Sequence, residues 1–464
     1  MTQIFTQAAS RILPLILEQL RAACGHLRPR SIVLKPNWVL HETDPAFPIE
    51  ALVTDPRVIE ATIEACLELF PAAESILVGD CPLQSADWPE MCQQSGLDRV
   101  IERFSKEGNG RVVFRDLRKE VFAKAKGSFL TEANTPHGDP RGYVEVSVGE
   151  KSQLEPLAGQ SSKFAVNDYS VSVTSSNHAP GHHNYFVCRS ILEADLLINL
   201  PKWKSHQKTG ITAALKNLVG MNADKAYLPH FRRGAPAWGG DEYRDEKRWL
   251  YWLQTTLREG VQKRSRLAYV ILKPGWEILK KVFRIQTRAL DTRDRKQEFY
   301  VAGGAWHGND TLWRTIYDLN FVIQCADREG KLRAEPQRAY FCIVDGIVSG
   351  EGNGPLQPRP RETDWLIFGD DPFAIDATLA HFMGYIADRI PLLTERQNYR
   401  GPAWGKFEWA ELPASIDGTE VPVLSTLLNF KFAPPPGWRD CIEREPSSPL
   451  PPATFDPSTP ASVG

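Results

Sequence analysis

The chain has 464 residues, of which 42% are hydrophobic, 24% charged and 10% aromatic, as in ordinary globular proteins. Its 55 Lys and Arg and 57 Asp and Glu give a net charge of −2, which provides no electrostatic reason to expect a nucleic-acid partner. No uninterrupted apolar run approaches the roughly 18 residues that a membrane-spanning helix needs.

The N-terminal segment and the cysteines bear on the compartment. The apolar run at residues 12–17 is followed by Glu18, which predicts an amphipathic first helix rather than a signal peptide. The eight cysteines are scattered, so C-x-x-C zinc sites and iron–sulfur cluster motifs are excluded. Scattered cysteines in a chain of this size predict reduced thiols, and we therefore expect a cytoplasmic protein.

Four short apolar runs predict strands that are buried on both faces of a parallel sheet. They are residues 31–34, 75–78, 195–200 and 340–344. Between the first two, residues 56–70 carry apolar side chains at helical spacing, so this part predicts a βαβ unit. The fold class is therefore predicted as α/β, with a mainly parallel sheet flanked by helices, a basic helical insertion and a Pro-rich C-terminal tail.

Charge and proline content divide the chain further. Residues 225–299 contain 18 Lys or Arg against 9 Asp or Glu, and the last 32 residues contain nine prolines. We predict a first α/β part over 1–224, a basic helical insertion or lid over 225–300, a second α/β part over 301–432 and an extended or disordered tail over 433–464. Helices over 241–288 would cover the cleft, or else dock on a membrane surface or a partner.

Polar residues follow each predicted strand, and the carboxyl ends of parallel strands share the edge where open α/β sheets bind ligands. Lysines there suit a carboxylate or a phosphate, and the glycines of residues 350–355 would let backbone N–H groups approach an anion. Surface lysines and a plain turn are the alternatives. The residues predicted to bind substrate are Asn37, Asp80, Lys202, Lys204, Thr209, Asn217, Asp345, Glu351, Gly352, Asn353 and Gly354.

Lys216 is the unusual residue of an apolar segment, 211–219, which we expect to form a helix capped by Thr209 or Thr212. Its ammonium needs an anion, unless it reaches solvent or forms a structural pair with Asp376. We predict that Lys216 acts with Lys35 and His206 in catalysis. A histidine can take or return a proton near neutral pH.

Histidines concentrate around the third predicted strand, and imidazole suits divalent transition metals. The predicted metal ligands are His182, His183, His206 and His230, with ordinary hydrogen-bonded loop histidines as the alternative. No G-x₄-G-K-[ST] segment occurs, which excludes a phosphate-binding P-loop.

Four blocks of the sequence resemble those of one family. They are KPN at 35–37, DLLINLPKWKSHQKTGITAALKNLVG at 195–220, VDGIVSGEGNGP at 344–355 and GDDPFAIDA at 369–377. Together they resemble the domain-of-unknown-function family numbered 362, over roughly residues 32–380. The resemblance implies no particular activity, and this chain lacks the cysteines of the ferredoxin-like modules that some relatives carry.

A more distant resemblance is to the nickel-pincer lactate racemases. The order of His206 and then Lys216 is similar to theirs, which implies a proton-transferring histidine and a lysine that holds the cofactor. His230 lies near the place of their nickel-ligating histidine, at a different spacing, and their glycine-threonine-histidine motif is here Gly79-Asp80-Cys81.

The predicted function is therefore that of an enzyme with a Lys/His-lined cleft for a small anionic substrate. Its chemistry would be acid/base and isomerase- or lyase-like, and the candidate cofactors are a divalent transition metal and a nickel-pincer type cofactor. The alternative is a non-catalytic protein that docks on a membrane or a partner through the basic insertion.

Overall fold

The computed structural model describes residues 1–122, 133–134, 138–167, 169, 171–244, 303–423, 426 and 428–444. Its helices are α1 (Ile12–Cys24), α2 (Ile49–Leu52), α3 (Pro56–Leu69), α4 (Trp88–Ser95), α5 (Leu97–Glu107), α6 (Val171–Ser176), α7 (Arg189–Leu192), α8 (Ala214–Asn217), α9 (Leu312–Cys325), α10 (Pro372–Met383) and α11 (Pro391–Thr394). None of the helices in these ranges is both long and apolar enough to cross a membrane.

The strands are short except for one long hairpin near the end of the sheet's parallel part. They are β1 (Thr2–Phe5), β2 (Ser31–Pro36), β3 (Ser75–Asp80), β4 (Val112–Asp116), β5 (Val121–Phe122), β6 (Ala133–Asn134), β7 (Tyr143–Ser147), β8 (Phe164–Ala165), β9 (His178–Ala179), β10 (His182–Cys188), β11 (Leu196–Leu200), β12 (Lys202–His206), β13 (Gly210–Thr212), β14 (Phe231–Arg232), β15 (Ala339–Asn353), β16 (Gln357–Gly369), β17 (Pro413–Ile416) and β18 (Thr419–Pro422).

One large sheet organises the molecule. Its parallel part has the order β15-β11-β2-β3-β4, and beyond β15 it continues through the antiparallel β16 to β1, β17 and β18. The short strands β12 and β13 join it at the far end of β15. The prediction of an α/β fold with a mainly parallel sheet is confirmed.

The sheet is buried on both faces, which explains the uninterrupted apolar runs of its central strands. In β2, Ile32 and Leu34 belong to one apolar cluster and Val33 to the other, because successive side chains point to opposite faces. Helices α1, α3 and α5 contribute to the first cluster, and α9 and α10 to the second. Both layers therefore hold the carboxyl ends of the strands in fixed positions.

The four predicted strands are neighbours and parallel, so Lys35 and Lys202 come to the same edge of the sheet. Two details differ from the prediction. Residues 202–206 form a further strand, β12, that was not predicted, and Asp345 lies inside β15, opposite Lys202, because β15 runs nine residues beyond Val344. The edge is thus extended by a strand pair that carries predicted site residues.

The helix of Lys216 is shorter than predicted and is capped differently. α8 spans Ala214–Asn217, and neither Thr209 nor Thr212 caps it. The carboxylate of Asp376, from α10, accepts hydrogen bonds from the backbone N–H of Ala214 at 2.7 Å and of Leu215 at 3.1 Å. The cap therefore comes from a distant part of the chain, which no local sequence pattern indicates.

Removing this cap is expected to destabilise the protein. Asp376→Ala leaves two buried N–H groups without a partner, which costs about 2 kcal/mol in the free energy of unfolding. Burial raises the pKa of Asp376 to about 8, so Asp376→Asn, which matches the neutral side chain and keeps one acceptor, should lose less. Urea unfolding at pH 7 measures the difference, with the exposed Asp388→Ala as control. Equal stability of the two Asp376 variants and the wild type would contradict the assignment.

The basic segment and the tail are described only in part. Residues 225–244 form the short 3₁₀ helices Lys225–Tyr227 and Pro236–Trp238 and the strand β14, and this stretch contains no α-helix. Residues 245–302, which carry most of the predicted lid or docking surface, lie outside the described residues. The tail begins packed, with Trp438 1% exposed and its indole donating to the Gln207 carbonyl, and residues 445–464 are outside the description.

Candidate functional site

Lys35 and Asp80 form a buried ion pair at the ends of β2 and β3. The Lys35 ammonium lies 2.9 Å from Oδ1 of Asp80 and also donates to the Pro36 carbonyl and to Oδ1 of Asn217. Oδ2 of Asp80 accepts from the backbone N–H of Trp38 at 2.7 Å. Burial lowers the pKa of Lys35, which the charge of Asp80 opposes. The structure thus places Lys35 and Asn217 in a closed set of polar contacts.

Gly220 lies directly against this ion pair. A Cβ atom on Gly220 would be 2.0 Å from Oδ1 of Asp80 and 2.7 Å from Nζ of Lys35. The backbone of Gly220 is held in place because its carbonyl accepts from the N–H of Cys81 at 2.9 Å. Only glycine therefore fits between α8 and the ends of β2 and β3.

Lys202 is also paired. Its ammonium donates to Oδ2 of Asp345 at 2.7 Å, and the same carboxylate accepts from the backbone N–H of Asp55 and of Ile347. Both partners of the pair are fully buried. Lys202 and Asp345, predicted as substrate-binding residues, thus bind each other where β12 meets β15.

Lys204 is buried without a carboxylate. Lys202, Lys204 and His206 share one face of β12, since Ser205 on the other face donates to the Gly352 carbonyl. The Lys204 ammonium donates to the Leu52 carbonyl at 2.6 Å, and no ion pair involves it within the described residues. Burial lowers its pKa well below the ordinary value, and the charges of Lys202 and Lys216 lower it further.

Lys216 faces the other lysines and lacks a partner in the described part of the chain. Asp376, its predicted structural partner, is instead bonded to the backbone of α8. Burial lowers the pKa of Lys216 to about 7, and the charges of Lys225 and Lys208 act in the same direction. Its side chain is partly exposed. Lys216 is therefore a partly accessible amine that has no ion-pair partner among the described residues and that gains a proton readily only below about pH 7.

Sequence reasoning missed two further lysines that lie near Lys204 and Lys216. Lys225 is 8% exposed, and its ammonium has only long contacts, 3.5 and 3.4 Å, to the carbonyls of Val219 and Asn222. Lys208 lies above the ring of Phe231, 5.3 Å from its centroid. Lys225 was counted with the basic insertion, because charge composition cannot tell a buried lysine from a solvated one.

The two histidines of the cluster carry their protons differently. Nδ1 of His206 accepts from the backbone N–H of Lys208 at 3.0 Å, so the neutral ring has its proton on Nε2. Nδ1 of His230 faces the Leu228 carbonyl at 2.8 Å and must donate, so Nε2 of His230 has a free lone pair. Burial lowers both pKa values well below the ordinary value, and Lys216 and Lys208 lower them further.

The four histidines predicted to bind one metal ion lie in two places. His183 uses both ring nitrogens, one 3.3 Å from Nδ1 of His178 and the other 2.9 Å from Oε2 of Glu155, while His182 is exposed. Nothing in the described ranges forms a group of three or more His, Cys, Asp or Glu side chains that could hold a metal ion. His182, His183, His206 and His230 therefore do not form such a group in this structure, and their role as metal ligands stays a prediction.

The predicted anion-binding loop is the end of the β15–β16 hairpin, and its backbone groups are already used. Gly352 donates to the Ala433 carbonyl, and Gly354 accepts from the N–H of Gln207. Glu351 accepts from the N–H of Ala433, and Asn353 donates to the side chain of Gln357. Thr209 likewise uses its hydroxyl on the Ile211 carbonyl. The glycines permit close packing here, since a Cβ on Gly354 would lie 2.0 Å from the Ser205 carbonyl oxygen.

A cavity of about 350 Å³ lies apart from these residues. Its lining includes Arg338, Tyr340, Asp370 and Trp404, and no residue predicted for the site takes part. The candidate site is therefore the group of side chains that could bind an anion and transfer a proton. It consists of Lys204, Lys208, Lys216, Lys225, His206 and His230, and we call it the lysine–histidine cluster.

Comparisons with known proteins extend the picture. The thylakoid-associated protein sll1697 of Synechocystis sp. is 32% identical over 75 residues, which are 16% of this chain and 23% of that protein. A crystal structure of a Thermotoga maritima protein aligns with 75% of this chain and 53% of its own, with 13% identity and a TM-score of 0.31. The alignments thus cover less than a quarter of the first protein and about half of the second.

The family model described as Domain of unknown function (DUF362) matches residues 32–110 and 105–381. The blocks at 35–37, 195–220, 344–355 and 369–377 all lie within these matches. The resemblance to the nickel-pincer lactate racemases stays a prediction. Because the family model covers more than half of the chain, the protein is a member of the DUF362 family.

Proposed function

We propose that the protein is an enzyme that binds a small anion, a carboxylate or a phosphate, at the lysine–histidine cluster and moves a proton on it. The observation that carries the proposal is uncompensated positive charge. In the described part of the chain neither Lys204 nor Lys216 has an ion-pair partner, although burial lowers the pKa of both. A buried charge without a partner is costly, and a bound anion compensates it.

The two histidines have complementary roles in this proposal. His230 is the base, since its free Nε2 lone pair can take a proton from a carbon next to the carboxylate. His206 donates a hydrogen bond from Nε2 to the developing enolate, since the neutral ring carries its proton there, and the proton taken by His230 is the one that returns. The electron pair left on the substrate becomes an enolate, and the charges of Lys204 and Lys216 stabilise it. Return of a proton gives an isomerase, and loss of a leaving group gives a lyase.

We also propose that the protein is cytoplasmic. All eight cysteines are free thiols, and Sγ of Cys81 lies 3.7 Å from Sγ of Cys188 without a bond between them. A chain with eight cysteines and no disulfide suits a reducing compartment.

Binding is tested by isothermal titration with inorganic phosphate and with lactate. The wild type should bind at least one of the two, and Lys204→Met should weaken that binding by about tenfold or more, because it removes one unpaired cation. Lys331→Met, which changes an exposed lysine in a turn, is the matched control and should bind as the wild type does. Failure of the wild type to bind either anion would overturn the proposal.

Proton transfer is tested in D₂O with a panel of small carboxylates. NMR should show loss of a C–H signal next to a carboxylate in the presence of the wild type. In His230→Gln the side-chain amide can still donate to the Leu228 carbonyl, as Nδ1 of His230 does, but it has no basic nitrogen. The variant should therefore retain anion binding and lose the exchange of the C–H hydrogen for deuterium. Exchange by His230→Gln at the wild-type rate would remove His230 from the role of base.

A further inference from the structure

We infer that the ligand of the lysine–histidine cluster carries at least two negative charges. Dicarboxylates, tricarboxylates and phosphate compounds fit this requirement, and simple monocarboxylates do not. The inference rests on the proposed function and adds to it the charge class of the substrate.

The charges around the cluster do not balance with one anionic group. Asp80 forms an ion pair with Lys35 and Asp345 forms one with Lys202, and the charge of Lys225 also acts on Asp80 from a longer distance. Within the described residues Lys204, Lys216 and Lys225 have no ion-pair partner. When ligand binding keeps these three side chains protonated, a monovalent anion compensates one ammonium group and leaves two uncompensated.

The hydrogen-bond donors lead to the same conclusion. Each ammonium has about three donors, and one carboxylate offers about four acceptor positions. Lys204 uses one donor on the Leu52 carbonyl, and Lys216 uses none on the described residues. These two side chains alone therefore hold about five free donors, more than one carboxylate accepts. Lys225, with only long contacts to carbonyls, adds more.

The placement of the lysines suits two separate anionic groups. Lys225 lies against the Val219 carbonyl, next to Gly220 and the Lys35–Asp80 pair, whereas Lys204 lies on β12. Lys216, on α8, is near both, since its charge acts on Lys204 and the charge of Lys225 acts on it. One anionic group beside Lys204 and another beside Lys225 would share Lys216 as a cation.

A buried hydroxyl on the same face also lacks a partner. Thr212 is 3% exposed, and its Oγ1 has no hydrogen-bond partner among the residues that the structure describes. Thr212 pairs with Lys204 in the β12–β13 register, and residues directly opposite in an antiparallel pair point to the same face. The orphaned hydroxyl therefore lies beside Lys204, where a second oxygen-bearing group of the ligand would satisfy it.

The test compares acetate, succinate, citrate and inorganic phosphate by isothermal titration at pH 7.5, with ionic strength held constant by NaCl. Succinate or phosphate should bind about tenfold tighter than acetate, because a second ion pair forms. Lys225→Met should reduce the succinate-to-acetate ratio by about fivefold and change acetate affinity by less than about twofold. The control Lys331→Met should keep the wild-type ratio.

The outcomes separate the two proposals. If acetate binds within about threefold of succinate, citrate and phosphate, the inference about charge is overturned and the proposed anion site stands. If none of the four anions binds, the proposed function itself is overturned. If Lys225→Met keeps the wild-type succinate-to-acetate ratio, Lys225 does not contact the ligand, and the second anionic position is overturned.

Discussion

Replacing Lys216 by Met is expected to stabilise the ligand-free protein at neutral pH and to abolish its binding of small anions. Burial and the charges of Lys225 and Lys208 lower the pKa of Lys216 to about 7 in the folded protein. The same group has a pKa near 10.4 when unfolded. Met keeps most of the volume of the stem and removes the charge, so the variant should gain about 2 kcal/mol in the free energy of unfolding at pH 7.

The sign of the pH dependence follows from proton uptake. Between pH 7 and about 10.4 the unfolded chain holds the Lys216 proton and the folded chain does not, so wild-type stability rises with pH over this window. Lys216→Met lacks this contribution. The advantage of the variant should therefore be largest at pH 7 and below, and should shrink toward pH 10. Urea unfolding at intervals of one pH unit measures it.

A bound anion should change this result. Saturating phosphate restores a partner to the Lys216 ammonium and raises its pKa, so the wild type should gain stability at pH 7 while Lys216→Met gains little. Lys331→Met serves as the control for salt effects. A Lys216→Met variant that is less stable than the wild type and still binds phosphate would make Lys216 a structural residue.

Replacing Gly220 by Ala is expected to be strongly destabilising. The added methyl group would lie 2.0 Å from Oδ1 of Asp80 and 2.7 Å from Nζ of Lys35, and the Cys81 hydrogen bond holds the Gly220 backbone in place. The ion pair must therefore separate in a site where both side chains are buried. Separating a buried pair costs about 3–5 kcal/mol in the free energy of unfolding.

Gly159→Ala is the matched control for this substitution. Gly159 is exposed in the 3₁₀ segment Glu155–Lys163, and a Cβ there meets no atom within 4 Å. That variant should be as stable as the wild type or slightly more stable, because alanine restricts the unfolded chain. Chemical unfolding of both variants gives the comparison, and equal free energies for Gly220→Ala and Gly159→Ala would show that the Lys35–Asp80 pair accommodates the methyl group.

The sequence predicted the parts of the fold that depend on local patterns. Continuous apolar runs such as residues 195–200 can be recognised without a structure, because a strand buried on both faces needs them. The β15–β16 hairpin was not recognised, since Gly350, Gly352 and Gly354 are typical of a turn. The structure explains two of them by close packing, against Lys204 and Pro358 at Gly350 and against Ser205 at Gly354.

The sequence indicated the edge of the sheet at which the candidate site lies, but it did not indicate which of the lysines form ion pairs. Polar residues after strands indicated the edge to which Lys35 and Lys202 both come, but only the three-dimensional pairing shows that these two have carboxylate partners and that Lys204 has none among the described residues. The cap from Asp376 and the contribution of Lys225 were hidden for the same reason. Asp376 is far from α8 in the sequence, and Lys225 was assigned to the basic insertion, so neither contact could be inferred from local patterns.

The place of β11 in the sheet has a consequence for synthesis on the ribosome. β11 lies between β2 and β15, so residues 31–36 and 339–353 contribute its two neighbours. A nascent chain that ends near residue 224 has β11 as an open edge, with unpaired N–H and C=O groups that can pair with another chain. Folding of the sheet must therefore wait for about 115 further residues, from position 224 to the start of β15. A chain of this kind is expected to need protection from aggregation during its synthesis.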